Sequence, residues 1–263
     1  GYVGFKDDLY AWYKFEKSNT EPITSIAPNM IDSSNCYLAF IHDGSTDNQT
    51  SYTVNFPEDT MCDILIVGGG GAAGSGIGGG GGAGGVVYIE NHQFNADTNY
   101  RIKVGNGGIN TGIVYNSNRI RGVSGIDSGI FNNDDTNVVY NDNGANFPLI
   151  GYGGGGGGSY SGGSDTQIEP ASGGSSGGMG CRNTHDRTMS ASVQATQGNT
   201  YWDGTTFVAG GYLGGNIGKA DYGSAGGGGA GGIGGIGDSS NGGDGGAGIV
   251  NNITGTAQGY AGG

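Results

Sequence analysis

The chain has 263 residues, of which 64 are glycine, and hydrophobic residues make up only 34% of it. This composition argues against one large apolar core and predicts that stability rests on backbone hydrogen bonds and several small clusters. The formal net charge of −13 argues against nucleic acid as a partner, which needs a basic surface, and against binding to anionic membranes.

The N-terminal part has the most ordinary composition. Residues 9–15 (LYAWYKF) and 36–41 (CYLAFI) are rich in aromatic and apolar residues and predict two strands. We therefore expect residues 1–51 to form an N-terminal β segment, either part of a preceding sandwich or a linker.

The chain has three cysteines, which fits one disulfide with a free thiol or three buried thiols. If a bridge exists, we expect it between Cys36 and Cys62. It would tie the N-terminal segment to the strand that follows.

From residue 52 the alternation of apolar and polar residues is clear. It predicts strands at 52–56, 62–67, 86–89 and 100–104, with Tyr100, Ile102 and Val104 facing inward. These strands would form a small antiparallel unit from which glycine tracts project.

Gly69-x-Gly71-x-x-Gly74 follows a buried strand and matches the dinucleotide-binding fingerprint. That fingerprint requires a helix next, yet residues 75–85 are mostly glycine, and each glycine costs a helix roughly 1 kcal/mol relative to alanine. No cofactor is therefore predicted.

Catalytic and metal-binding residues are not evident either. His42, His92 and His185 lie in unrelated parts of the chain, without a matched nucleophile or a Cys/His cluster. We predict a protein that is not an enzyme and has no catalytic, cofactor-binding or metal site.

Glycine tracts of this kind are either flexible linkers or extended helices with three residues per turn. Ala230, Ile233 and Ile236 follow one another at every third position, on one edge of such a helix. A linker has no reason to keep this phase, so we predict packed polyglycine II helices, with the two isoleucines buried. The predicted fold class is mainly β and irregular, with small antiparallel β units, packed polyglycine II helices and almost no α-helix.

The order of motifs resembles a known family. A strand ending in Phe56-Pro57 leads to ILIVGGGG and GGAGGVVY, then to 100–108 (YRIKVGNGG), 125–131 (GIDSGIF) and the glycines at 153–158. This order is similar to the glycine-rich domain of phage tail-fibre and adhesin proteins, also found in large proteins of viruses that infect protists. The resemblance covers residues 52–263, which we take as a glycine-rich domain that continues beyond the C-terminus. It implies bundled polyglycine II helices with variable loops that contact receptors.

We therefore expect a structural or adhesive element of a virion or extracellular fibre, located at the virion surface or outside the cell. Self-association into an oligomer or filament is expected, with no membrane insertion. The alternative is a receptor- or glycan-binding tip that uses aromatic residues between glycine tracts. These candidate partner-binding residues are Tyr160, Tyr201, Trp202, Phe207, Tyr212 and Tyr222.

Two further possibilities concern the surface. The sequons at Asn48 and Asn252 would accept glycans in a eukaryotic secretory pathway. Ice binding by a flat helix face is a third function, but it needs small exposed residues where Ile233 and Ile236 stand.

Overall fold

The computed structural model describes residues 10–16, 24–109, 120–142, 145–159, 169–180, 193–196, 207–215, 223–238 and 241–263. These residues form β-strands and no α-helix, which confirms the predicted mainly β class. The strands are β1 (Tyr10–Glu16), β2 (Asn29–Met30), β3 (Asn35–Ile41), β4 (Gln49–Phe56), β5 (Thr60–Val67), β6 (Val86–Phe94), β7 (Thr98–Gly105), β8 (Ser128–Asn132), β9 (Val139–Asp142), β10 (Ala145–Pro148), β11 (Ile150–Gly151), β12 (Phe207–Gly210), β13 (Ile249–Asn251) and β14 (Gln258–Tyr260).

Two antiparallel sheets make up most of the β structure. One has six strands in the order β12-β6-β5-β1-β3-β2, and the other has four in the order β11-β8-β7-β4. The pairs β9–β10 and β13–β14 form separate two-stranded sheets. In the part of the chain that the structure describes, no helix is long and apolar enough to cross a bilayer.

Side chains from both large sheets form one apolar core. Phe94 of β6 stacks on Phe56 of β4, with ring centroids 4.7 Å apart, and meets the ring of Tyr100 of β7 edge-on at 4.8 Å. Tyr100, Ile102 and Val104 are all buried, as the alternation along the strand predicts. The sheets therefore pack face to face as a sandwich.

The N-terminal strands belong to this sandwich. Strand β1 lies between β3 and β5 and pairs with both of them. Strand β4 extends across residues 51 and 52, where the sequence suggested a boundary between two units. Residues 10–16 and 35–41 thus share a sheet with the strand that leads into the first glycine tract.

Several strands continue into glycine-rich segments: β5, for example, runs into residues 68–75, and residues 120–127 lead into β8. Together these segments form what we call the glycine bundle. Its segments are A (68–75), B (78–85), C (120–127), D (152–159), E (171–180), F (223–229), G (231–238) and H (241–248).

The register of the strands is kept as they enter the bundle. Val67 pairs with Val86, and directly after this pair the Gly68 N–H donates to the Gly85 carbonyl at 3.0 Å. Segments from different sheets also meet there, because the Gly69 N–H donates to the carbonyl of Ile126, ahead of β8. Side chains hold packed sheets about 10 Å apart. Where glycine removes the side chains, the two layers converge into direct backbone contact.

Candidate functional site

The bundle follows a repeat of three residues. In segment A, every third N–H donates to segment B, and the N–H one position later donates to segment C. The donors to segment B are Gly68, Gly71 and Gly74. The donors to segment C are Gly69, Ala72 and Ser75. The side chains of a β-strand repeat every two residues. The N–H groups of segment A instead repeat every three residues, and consecutive donors point to two different segments, B and C.

Segment D lies at the centre of the bundle. All residues from 153 to 158 are buried, all six N–H groups donate a hydrogen bond, and all six carbonyls accept one. The N–H groups bond to segments A, C and E, and the carbonyls accept from B, C and E. A buried backbone group without a partner costs about 1–3 kcal/mol, so this complete pairing is what makes a buried polyglycine run stable.

Two side chains of segment C complete the pairing of segment D. The Asp127 carboxylate accepts from the Gly153 N–H at 2.7 Å, and the Ser124 hydroxyl accepts from the Gly156 N–H at 3.3 Å. Sequence reasoning missed these residues. The available signal was their spacing of three, which equals the spacing of Gly122 and Gly125 in the same segment.

Buried serines supply further side-chain partners. The Ser175 hydroxyl donates to the Gly229 carbonyl at 3.0 Å and accepts from the Tyr212 N–H at 3.2 Å. The Ser75 hydroxyl accepts from the Ile120 N–H at 2.7 Å. These serines bond to backbone groups of other segments, so they link segments of the bundle.

Glycine is sterically required in the interior. A Cβ placed on Gly154 or Gly156 would lie far inside van der Waals contact distance of a carbonyl oxygen, that of Gly82 or Gly122 respectively. For Gly70, in the same bundle, no atom of the described residues lies within 4 Å of such a Cβ. The bundle therefore contains both required and replaceable glycines.

The outer face carries exposed apolar side chains. Ile233 and Ile236 of segment G are 66% and 64% exposed, so the predicted burial of these two residues is wrong, whereas Ala230 is buried. Gly234 and Gly237 form the inward row, where a Cβ would collide with the backbone of segment F. Ile233 and Ile236 share one row, as their spacing predicts, whereas Ala230 lies at the bend of residues 230–232 and is not part of that row. The sequence did not show which row faces the neighbouring segment.

The candidate aromatic residues are only partly described. Tyr212 is half-buried, and its carbonyl accepts from the Ser176 N–H at 3.1 Å, so its backbone is part of the bundle. Phe207 belongs to β12 and pairs with Ile89, but its side chain is outside the described residues. The remaining four also lie outside them: Tyr160, Tyr201, Trp202 and Tyr222.

Cys36 and Cys62 are both buried and are not joined by a disulfide, so the expected Cys36–Cys62 bridge is not formed. Both residues pair with Phe15, from opposite sides of β1. They are two strand spacings apart, about 9.5 Å, whereas a disulfide joins Cα atoms about 4.4–6.8 Å apart. Burial, followed by the charge of Asp63, raises the pKa of the Cys62 thiol, which keeps it protonated and unreactive.

Both sequon asparagines are exposed. The Asn48 carbonyl accepts from the Asn106 N–H, and the Asn252 carbonyl accepts from the Gly255 N–H. Their side chains are therefore accessible while their backbones are fixed.

The fingerprint glycines have a structural use. The N–H groups of Gly69, Gly71 and Gly74 all donate within the bundle, and a turn at 75–77 follows them. These N–H groups are therefore engaged by other segments of the chain. Among the described residues, no group of three or more His, Cys, Asp or Glu side chains is placed to hold a metal ion.

An antiparallel sandwich that continues into a hydrogen-bonded bundle of glycine segments defines a glycine-rich β protein. The chain belongs to the glycine-rich domain family, whose sequence model matches residues 46–263. The match begins just before β4, so β1 to β3 precede it although they share its sheet and core. Comparisons with curated proteins and with solved structures give no match.

Proposed function

We propose that this chain is a non-enzymatic structural or adhesive element of a virion or an extracellular surface fibre. The observation that supports this most is the buried run 153–158, in which every backbone group is hydrogen-bonded to a neighbouring segment. Such a run resists bending because each residue is held from several sides. It also provides no side chains for catalysis, which suits a shape-keeping element.

We further infer that the segments are polyglycine II helices. This conformation has three residues per turn, φ near −75° and no internal hydrogen bonds, so its backbone groups must bond to neighbours. The repeat of three in the bundle's hydrogen bonds matches it. Among the described glycines, positive φ occurs at Gly44, Gly76 and Gly255, all outside segments A to H, which agrees with the negative φ that the conformation needs.

The bundle's outer face supports self-association. Ile233 and Ile236 expose apolar side chains on segment G, and the glycines at 242, 245 and 248 of segment H are exposed. Backbone at the edge of a hydrogen-bonded array tends to pair with another chain, as a sheet edge does. An oligomer or filament at the virion surface or outside the cell follows from the proposal.

The alternative proposal is a receptor- or glycan-binding tip. It is supported by Leu213, which is 42% exposed beside the half-buried Tyr212, because aromatic and apolar residues on a rigid scaffold make effective contact surfaces. A glycan array probed with the wild type and with Tyr212→Ala tests it. Selective binding that the variant loses supports the tip, and a blank array with the wild type contradicts it.

Electron microscopy tests the main proposal. Antibodies against the purified chain should label the surface of the virus particles or cells that produce it, and the purified protein should form regular rods or filaments. Labelling confined to the cell interior would contradict the proposal. Ile233→Ser together with Ile236→Ser should weaken assembly, whereas Met61→Ser, at an exposed position of β5, is the matched control and should not.

A further inference from the structure

The loop between β3 and β4 is built around a buried histidine. The His42 side chain is only 7% exposed. Its Nδ1 accepts a hydrogen bond from the Gly44 N–H at 3.1 Å, and its Nε2 lies 3.1 Å from the Asp47 carbonyl oxygen. Since Nδ1 is an acceptor, the proton must be on Nε2, which then donates to Asp47. The ring thus connects Gly44 and Asp47 within the loop.

A second partner for Nδ1 is already in place. The Asp43 carboxylate oxygen is 3.9 Å from Nδ1. Hydrogen bonds from Ser45, and after them one from Thr50, hold the pKa of Asp43 below its ordinary value, so this carboxylate is charged at neutral and mildly acidic pH.

We propose that the loop of residues 42–48 is a proton-operated switch, in which His42 exchanges its Gly44 partner for Asp43 when it is protonated. A proton on Nδ1 turns this nitrogen from an acceptor into a donor, so it can no longer accept from the Gly44 N–H. The new N–H turns to the adjacent carboxylate instead. Gly44, held in the left-handed region at φ +76°, is then released from the hydrogen bond that positions it.

Among the described residues, the other groups near the ring do not provide a competing partner. Asp47 faces it through its backbone carbonyl. Tyr52 of β4 donates its hydroxyl to the Ile41 carbonyl, and Asp127 reaches this region through its own carbonyl, which accepts from the Gln49 side chain. Asp43 is thus the charged side chain that the structure places beside Nδ1.

The position of the loop gives the switch a consequence. The Asn48 carbonyl accepts from the Asn106 N–H, directly after β7, and the Gln49 side chain bonds to Asp127 at the end of segment C. The loop therefore connects to the junction of sandwich and bundle, and it carries the exposed sequon Asn48. Acidification is expected to alter the Gly44 part of this loop, next to the junction, while the bond from Nε2 to the Asp47 carbonyl is kept. The inference does not depend on the proposed fibre role.

Nuclear magnetic resonance on the ¹⁵N-labelled chain tests the switch. At pH 8 the His42 ring should be the Nε2–H tautomer. On acidification the Gly44 amide should lose exchange protection by roughly a factor of two to ten, the value of one hydrogen bond, with the same midpoint as the ring. His42 titrating while the Gly44 amide stays unchanged would overturn the proposal, as would an Nδ1–H tautomer at pH 8.

Two variants separate the partners. His42→Asn keeps an acceptor near the position of Nδ1 but cannot titrate there, so its Gly44 amide should stay protected down to pH 5. Asp43→Asn removes the attraction for the protonated ring, so the His42 midpoint should move to lower pH. An Asp43→Asn midpoint equal to that of the wild type would show that Asp43 is not the second partner.

Discussion

The sandwich and the glycine bundle use the same chain in opposite ways. In the sandwich, strands with a period of two present side chains to a shared core, and Phe56, Phe94 and Tyr100 fill the space between the sheets. In the bundle, segments with a period of three contact one another mainly through backbone, and at interior positions such as Gly154 and Gly156 the contact requires that no Cβ is present. The comparison shows that one antiparallel register can continue from strands that pack through side chains into glycine segments that pack through backbone. The consecutive pairs Val67–Val86 and Gly68–Gly85 mark this change, because the first belongs to the sandwich and the second to the bundle.

The largest expected effect is in the sandwich. Phe94→Ala would remove a fully buried ring that contacts Phe56 and Tyr100, and substitutions of this kind cost about 3–5 kcal/mol of the free energy of unfolding. Denaturant unfolding measures it. Met61→Ala, at an exposed position of β5, is the control and should change stability by less than about 0.5 kcal/mol.

In the bundle, adding a methyl group at a buried glycine should destabilise the folded chain. In the sandwich, the same kind of loss comes from removing a buried side chain. Gly156→Ala would place a methyl group against the Gly122 carbonyl, and we expect a loss of about 3 kcal/mol, as for overpacked cores. Gly70→Ala is the matched control. Its Cβ meets no atom of the described residues within 4 Å, so it should be neutral or slightly stabilising, by up to about 1 kcal/mol. Equal effects of the two alanines in chemical unfolding would contradict the steric account.

The sandwich should also respond to acid through His92. Burial lowers the pKa of His92 to about 4 from its ordinary value near 6.5. The unfolded chain then binds a proton that the folded chain does not, so stability falls as pH drops from about 6.5 toward 4. We expect about 1–2 kcal/mol to be lost by pH 5.

The difference between wild type and His92→Asn isolates this contribution from that of the carboxylates. Unfolding curves at pH 7.5 and pH 5 should show a smaller acid loss for the variant than for the wild type. The same loss in both proteins would mean that His92 is not the group responsible.

The smallest effect is expected at the surface of the sandwich. The Asp135 carboxylate accepts hydrogen bonds from Arg101 at 2.7 Å and Lys103 at 2.9 Å. Lys103 first, and then Arg101, lower its pKa. Solvent-exposed ion pairs contribute little, and asparagine tolerates the positive φ of this position. Asp135→Asn should therefore leave the denaturant midpoint unchanged within error, and a clear drop would reveal a larger role for this cluster.

The sequence predicted those parts of the fold that depend on the pattern of apolar and polar side chains. The alternation at Tyr100, Ile102 and Val104 predicted both the strand and which side chains are buried, and the spacing of Ile233 and Ile236 predicted that the two share one row, although Ala230 is not part of it. It did not show which segments are neighbours, because glycine has no side chain whose polarity marks a buried or exposed face. For the same reason it placed Ile233 and Ile236 inside, although the glycine row next to them makes the contact.

Other features depend on contacts far along the chain. The insertion of β1 between β3 and β5 separates Cys36 from Cys62, which their positions in the sequence do not indicate. The hydrogen bonds from segment D to Ser124 and Asp127 join residues 32 and 26 positions apart, respectively. Local sequence patterns predict individual strands and glycine segments. Which of them become neighbours is decided only when the whole chain has folded.

Amide hydrogen exchange tests most directly whether the bundle is ordered by its backbone hydrogen bonds. The amides of residues 154–158 donate within the buried centre of the bundle, so they should exchange as slowly as those of Ile64 to Ile66 in β5, near the limit set by global unfolding. Exchange at the rate of an unfolded chain in residues 154–158, with β5 still protected, would show that the glycine segments are linkers and would contradict this account.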